Sequence, residues 1–343
     1  MSKIKTLNDF VKKLEDIVNI DSGTTNVDGV TEVAYKLKSF YDEAGFFTEI
    51  VDLGNSVGKG LFVTNDPKAT SYDVLLTGHM DTVFKQGEAK ERPFKVVENK
   101  AFGPGVVDMK GGDLIILWGL SKIAEQKLSK LKIAICYKLG EFTVKRKGIS
   151  HIDIHLKGVG AHAGFCPEKG RSAINAMANC ILRINALANE NVTVNFGVIN
   201  GGIIANAIAE DCFARIDVRF WKKEQWDDFY LKFKKEFETP FGEDIKASYE
   251  ILLVNPAMEE FPKTGKLKEL INEISEKLKI KAYYIKSGGV SDGNHISQTK
   301  TPVLDGFGGV GGDAHTKREW LCLKTAEVKA SLLSEFLEKI SEN

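Results

Sequence analysis

Apolar residues recur at helical spacing from the start of the chain. Ile4, Leu7, Val11, Leu14 and Val18 share one face, and Lys5, Asp9, Lys12, Lys13, Glu15 and Asp16 break up the rest. The pattern predicts an amphipathic surface helix over 4–18 and a second helix over 29–45. Short apolar runs then predict strands at 47–52, 60–64 and 73–77, a helix from about 111 to 126, and a buried strand at Leu131–Tyr137. This alternation predicts an α/β domain with a mostly parallel sheet, whose ligand sites lie beyond the carboxyl ends of the strands.

The period changes in the middle of the chain. Residues 149–157 alternate, with Ile152, Ile154 and Leu156 on one face and His151, Asp153 and His155 on the other. A helix follows at about 170–188, where Ile174, Met177, Ala178, Ile181 and Leu182 form an apolar stripe. Strands at 192–199 and 211–220, a charged helix over 223–238 and a strand over 247–253 complete a β-α-β-β-α-β order, the signature of a ferredoxin-like α+β unit. In 211–220, Cys212, Ala214, Ile216, Val218 and Phe220 oppose Arg215, Asp217 and Arg219. The remainder predicts a helix over 264–278, strands at 281–286 and 301–305, a short helix from Asp292 and a last helix over 325–340. The expected organisation is a discontinuous domain, 1–147 and 258–343, interrupted by an inserted domain at 148–257.

A chain of 343 residues suits two cores. Lys+Arg and Asp+Glu both number 47, so charge gives no reason to expect a nucleic acid or an anionic membrane as partner. Five cysteines without a C-x-x-C pair point to buried thiols in a reducing compartment. The first helix is too charged for a secretory segment, and no apolar run has membrane-spanning length. A cytoplasmic location is expected.

Chemistry concentrates in three glycine-rich places. Gly78-His79-Met80-Asp81-Thr82-Val83 follows the apolar run Val74-Leu75-Leu76. There an imidazole can bind a metal while a carboxylate accepts its other ring N–H. A histidine at a strand end is by itself more often a surface or core residue. Asp108, in Gly103-Pro104-Gly105-Val106-Val107-Asp108-Met109-Lys110-Gly111-Gly112, and His315, in Gly311-Gly312-Asp313-Ala314-His315-Thr316, change the balance. Two imidazoles and a carboxylate suit zinc, and a carboxylate can bridge two metals. Gly306-Phe307-Gly308-Gly309-Val310-Gly311 fits G-x-G-x-x-G but does not open a helix directly, which argues against a dinucleotide site.

Together with Ser287-Gly288-Gly289-Val290-Ser291-Asp292-Gly293-Asn294 and Leu304-Asp305-Gly306, these elements resemble the M20 metallopeptidase family, in its glutamate carboxypeptidase (carboxypeptidase G2-like) branch. The resemblance covers nearly the whole chain. It implies a zinc hydrolase with two zincs per subunit: His79 on one, oriented by Asp81, His315 on the other, and Asp108 bridging both. The inserted unit would be the lid and dimerisation domain of a homodimer. His162, in Gly160-Ala161-His162-Ala163-Gly164, matches the lid histidine that reaches the partner subunit's active site and stabilises the oxyanion. Asn206 and Arg219 match substrate-binding positions, the latter suited to a substrate carboxylate, and Gly288 and Gly289 match the loop the substrate approaches. Without the resemblance, Arg219 reads as an ion pair with Asp217 or Glu210, His162 as a loop residue, and His151, His155 and His295 as non-ligands.

The implied function is hydrolysis of the amide bond to a C-terminal amino acid in a small peptide or N-acyl amino acid. Amino-acid deacylation and non-catalytic binding of a metal or carboxylate are the alternatives. The resemblance also implies a general-base glutamate and a ligating glutamate after the strand Leu131–Tyr137, and a further carboxylate for the other zinc. Here a stretch resembling the strand that enters the lid follows at once, and between Glu125 and Asp153 the only acidic residue is Glu141. Glu141 fits best within that entering strand and aligns with the base only if the gap begins after it. The segment with the catalytic glutamate pair is therefore missing from the chain as written. Stripping a strand from a central sheet exposes an apolar edge. A working protein that contains the segment, a deliberately shortened chain and a natural relative that has lost catalysis are the three explanations, and that cost favours the first and makes the last the least attractive.

Overall fold

A computed structural model describes residues 3–135 and 143–342. Glu141 lies outside the described residues. The chain divides into two compact units, the first made of Met1–Thr143, Pro262–Ile285 and Leu304–Asn343, the second of Val144–Phe261 and Lys286–Val303.

In the first unit, helix α1 (Leu7–Val18) begins at a capping box in which Thr6 and Asp9 satisfy each other's backbone N–H. It buries Phe10, Leu14, Ile17 and Val18. Helix α2 (Val27–Glu43) buries Val33, Ala34, Leu37, Phe40 and Tyr41. Strands β1 (Phe47–Val51), β2 (Gly60–Thr64), β3 (Val74–Leu76) and β4 (Ile133–Ile135) form a sheet in the order β1-β2-β4-β3. The first two pairings are antiparallel and β4–β3 is parallel, so the sheet is mixed among the described residues, where the alternation alone suggested a mostly parallel one. Helix α3 (Gly111–Lys122) is buried on all sides from Gly111 to Leu120, with Trp118 stacked on Phe10 at 5.1 Å. It lies close to the helix Leu323–Ile340, since a Cβ on Gly119 would stand 3.1 Å from the Ala330 carbonyl oxygen.

Among the described residues β3 ends this sheet, and its Leu75 is 46% exposed. The strand expected at 281–286 is reduced to Ile285–Ser287, and the one expected at 301–305 to a single bridge between Asp305 and Thr143. Both sequences have strand composition, but a ladder also needs a neighbour with free N–H and C=O groups.

The second unit holds β5 (Gly148–Lys157), helix α4 (Ala173–Asn185), β6 (Val192–Gly201), β7 (Asp211–Phe220), helix α5 (Lys223–Glu238) and β8 (Lys246–Asn255). Its antiparallel sheet runs β6-β7-β5-β8, the ferredoxin-like order. Ile152, Ile154 and Leu156 meet Ala214, Ile216 and Val218 under the two helices, as the alternation predicts. Helix α4 departs from its predicted stripe. It buries Ala173, Ala176, Met177, Cys180 and Ile184, whereas Ile174 and Leu182 are exposed. Small residues face the sheet closely, which rotates the larger aliphatics outward. Residues 286–303 join this unit through Asn294, whose side-chain amide donates to the Lys147 and Pro256 carbonyls.

No helix among the described residues is long and apolar enough to cross a membrane. The described cysteines, Cys166, Cys180, Cys212 and Cys322, are all free, and burial pushes the Cys180 thiol up to about 12.

Candidate metal centre

A small four-stranded sheet places the key side chains of the first unit. Gly311–Gly312 pairs with Trp320–Cys322, which pairs with Lys100–Phe102, which pairs with Lys95–Val97. The turn bearing Asp108 leaves Lys100–Phe102, and the turn bearing His315 connects Gly311–Gly312 to Trp320. Gly311 is required here, because a Cβ would stand 2.1 Å from the Trp320 carbonyl oxygen. Gly105, with φ +74, turns the chain toward Asp108, and a Cβ there would strike the Thr82 side chain.

Asp108 is the hub. One of its oxygens lies 2.8 Å from His79 Nε2 and the other 2.9 Å from His315 Nε2. His79 Nδ1 donates to the Asp81 backbone carbonyl at 2.9 Å and lies 3.2 Å from the Asp81 carboxylate. That bond fixes the Nδ1 proton and directs Nε2 at Asp108. Burial disfavours charge on His79, yet the hydrogen bonds to Asp108 and Asp81 outweigh it and raise the pKa to about 10. Burial likewise opposes charge on Asp81, but bonds from His79 and from the Thr24 hydroxyl, at 2.6 Å, lower it to about 2. Without metal, His79 is thus an imidazolium between two carboxylates. A divalent cation would displace its Nε2 proton.

The donor set suits zinc, with one imidazole and one carboxylate oxygen available at each of two neighbouring positions. Among the described residues no group of three or more His, Cys, Asp and Glu side chains is placed to hold a single ion. Among the described residues, then, His79, Asp108 and His315 are the metal-ligating side chains brought together.

In the second unit the predicted residues fall into two groups. His162 and Asn206 lie together, where Ala161–His162 pairs with Ala207–Ile208 and the Asn206 carbonyl accepts the Ala163 N–H at 3.0 Å. His162 Nδ1 accepts N–H bonds from Gly164 and Phe165 at 3.1 and 3.2 Å, which leaves the ring proton on Nε2. Arg219, Gly288 and Gly289 form the second group. The Arg219 guanidinium grips Asp217 through two bonds of 2.7 and 2.9 Å and donates to the Gly288 carbonyl at 3.0 Å. The ion pair with Asp217 and the place at the glycine loop therefore coexist. Arg146 donates to Ser287 Oγ and the Gly289 carbonyl. His151 bonds Asp217, and His295 bonds Asn255 from within the helix Asp292–Ser297.

Four residues escaped the sequence reading. Thr24 reaches Asp81 across 57 positions without any motif of its own. Lys110 is fully buried, its Nζ on the Ile20 carbonyl at 2.8 Å, and burial lowers its pKa to about 7. Asp113 is fully buried, neither carboxylate oxygen has a hydrogen-bond partner among the described residues, and burial raises its pKa well above the usual range. Glu319 accepts backbone N–H bonds from Gly105, Val107 and Asp108 at 2.9 to 3.0 Å. Its position four residues after His315 was the one available signal.

Residues 144–245 match the peptidase dimerisation domain of the M20 family. Carboxypeptidase G2 of Pseudomonas sp. (strain RS-16) is 26% identical over 254 residues, which cover 63% of this chain and 61% of that protein, so this match spans less than two thirds of the relative's length. Succinyl-diaminopimelate desuccinylase of Rickettsia rickettsii (strain Sheila Smith) is 24% identical, with 96% of this chain and all of the relative covered. That alignment runs over 402 residues, more than the 343 of this chain, so the relative has residues where this chain has none. The solved structure of an M20 family metallo-carboxypeptidase from Sulfolobus solfataricus superposes with a TM-score of 0.74 at 13% identity, covering 97% of this chain and 99% of that one. The mixed α/β fold is that of the M20 peptidases, and these likenesses support a hydrolase.

Proposed function

We propose that this chain, an M20-type peptidase in fold and dimerisation domain, is a zinc-dependent hydrolase of the amide bond to a C-terminal amino acid. The observation that carries the reading is Asp108, with one carboxylate oxygen on His79 and the other on His315. Zinc bound there supplies Lewis acidity toward the scissile carbonyl and an acidified water. His79 and Asp108 would hold one ion, His315 and Asp108 the second, and Asp81 keeps His79 in the ligating tautomer. In the homodimer His162 would serve the partner subunit's active site, offering its Nε2–H to the carbonyl oxygen that gains charge, with Asn206 beside it. Arg219 holds the substrate carboxylate in the loop of Gly288 and Gly289, its guanidinium aligned by Asp217. Glutamate as the released amino acid is what the resemblance to the glutamate carboxypeptidase branch implies, and acyl-group removal of the deacylase kind is favoured by the likeness to the desuccinylase.

The segment with the glutamate pair belongs after β4. Two observations support its being missing here: the exposed Leu75 on the edge strand among the described residues, and the relative with residues this chain lacks. The test is hydrolysis of an acyl-glutamate panel by the full chain loaded with zinc. Release of the amino acid supports the reading, and a chain that takes up no zinc and shows no turnover overturns it. A second reading, binding without turnover, is favoured by the short ligand set among the described residues. Zinc uptake with no hydrolysis selects it.

A homodimer through the second unit is part of the proposal. Ile174 and Leu182 on α4, Val198 and Ile199 on β6, and Ile203 and Ile204 just beyond it are exposed aliphatics in the matched dimerisation domain. Exposed aliphatics in this number are what a partner surface would cover. Leu182→Glu is expected to convert a dimer to a monomer in light scattering while the melting temperature of the second unit holds. A wild-type monomer, or a variant that stays dimeric, contradicts this surface.

A further inference from the structure

We propose that Glu319 is the positioning residue of the metal centre, tying the turn that carries Asp108 to the turn that carries His315 so that the two ligands move as one. The inference rests on the metal-centre reading above and goes beyond it, because no ligand role is given to Glu319 itself.

The bonds between the two turns form a closed ring. From the second turn, His315 reaches the Asp108 carboxylate at 2.9 Å. From the same turn, Glu319 reaches the Asp108 backbone N–H at 3.0 Å and those of Val107 and Gly105 at 2.9 and 3.0 Å. Between the two side chains the turn is held by its own bonds, from Thr316 N to the Asp313 carbonyl and from Glu319 N to the Thr316 carbonyl. One residue, Asp108, is thus held twice from one short turn, by its side chain and by its backbone.

Chemistry explains why a glutamate stands there. The side chain is almost wholly buried, and three converging N–H groups need acceptors on both oxygens. A glutamine has one acceptor oxygen and would set its amide N–H against a backbone N–H. An aspartate is one methylene short. Asp313 and His315 both adopt positive φ, +55 and +63, a conformation rarely held without support from neighbours. The tie at Glu319 supplies that support at the end of the turn.

The test uses the full chain and zinc(II) itself. Glu319→Gln is expected to weaken zinc affinity by about 10- to 100-fold, the usual cost of removing a partner that orients a ligand. In zinc-free protein it is also expected to speed amide hydrogen exchange in 103–110 and 311–319 together. Cobalt(II) in place of zinc should show a changed visible spectrum, since the bands report ligand geometry. The exposed Glu327→Gln should alter none of these. If Glu319→Gln fails to fold, Glu319→Asp is read by the same measurements. Zinc affinity unchanged in the variant, or faster exchange in 103–110 with 311–319 unmoved, overturns the proposal. If the wild type binds no zinc, the metal-centre reading falls, and the exchange measurement alone decides the tie.

Discussion

Asp108→Ala is expected to lower zinc affinity at both positions at once, by a factor on the order of 10³, because one carboxylate serves both imidazoles. His79→Ala and His315→Ala each remove a ligand from one position, so each should leave one zinc of two. Equilibrium dialysis with elemental analysis distinguishes these patterns. A variant series in which Asp108→Ala loses one zinc and keeps the other at full affinity contradicts the shared carboxylate.

The same cluster sets a pH dependence. The folded pKa of His79, about 10, lies above its ordinary 6.5. Its stabilisation is therefore complete below about 6.5 and lost as pH rises through 10. Asp81, at about 2, lies below its ordinary 3.8, so its stabilisation is complete above that value and lost as pH falls through 2. From these two groups, zinc-free protein melts highest between about 4 and 6.5, and Asp108→Ala flattens the alkaline limb. Zinc reverses that limb: it competes with the Nε2 proton of His79, so its affinity rises with pH.

Arg219→Ala is the second large effect. It is expected to weaken binding of an acyl-glutamate by about 10- to 100-fold, matching roughly 1.5–3 kcal/mol for a hydrogen bond to a charged group. Arg219→Lys should recover little of this, since an ammonium cannot grip Asp217 through two bonds and still reach the Gly288 carbonyl. Calorimetric titration reads the effect without requiring turnover. Wild-type affinity in Arg219→Ala would remove the carboxylate role and leave the arginine as an ion pair within β7.

What the sequence displayed of this site follows from what its chemistry demands locally. His79 and Asp81 are two residues apart, and the glycines around Asp108 and His315 mark turns that only certain backbones make. Those features are written in short motifs. The Glu319 and Thr24 contacts are not, because each pairs residues from distant parts of the chain through a single side chain. In the second unit, period-two alternation placed Ile152, Ile154 and Ile216 in the core correctly. Helix α4 misled because it carries two apolar faces, and periodicity does not say which one meets the sheet. The segment 301–305 misled for the opposite reason, since its composition suits a strand whose pairing among the described residues is the single bridge of Asp305 to Thr143.

The most direct measurement is anomalous X-ray diffraction at the zinc edge from zinc-loaded crystals of the full chain. Two peaks are expected about 3.5–4 Å apart, one beside His79 and one beside His315, with Asp108 between them. A single peak away from Asp108, or none, would contradict the two-zinc centre.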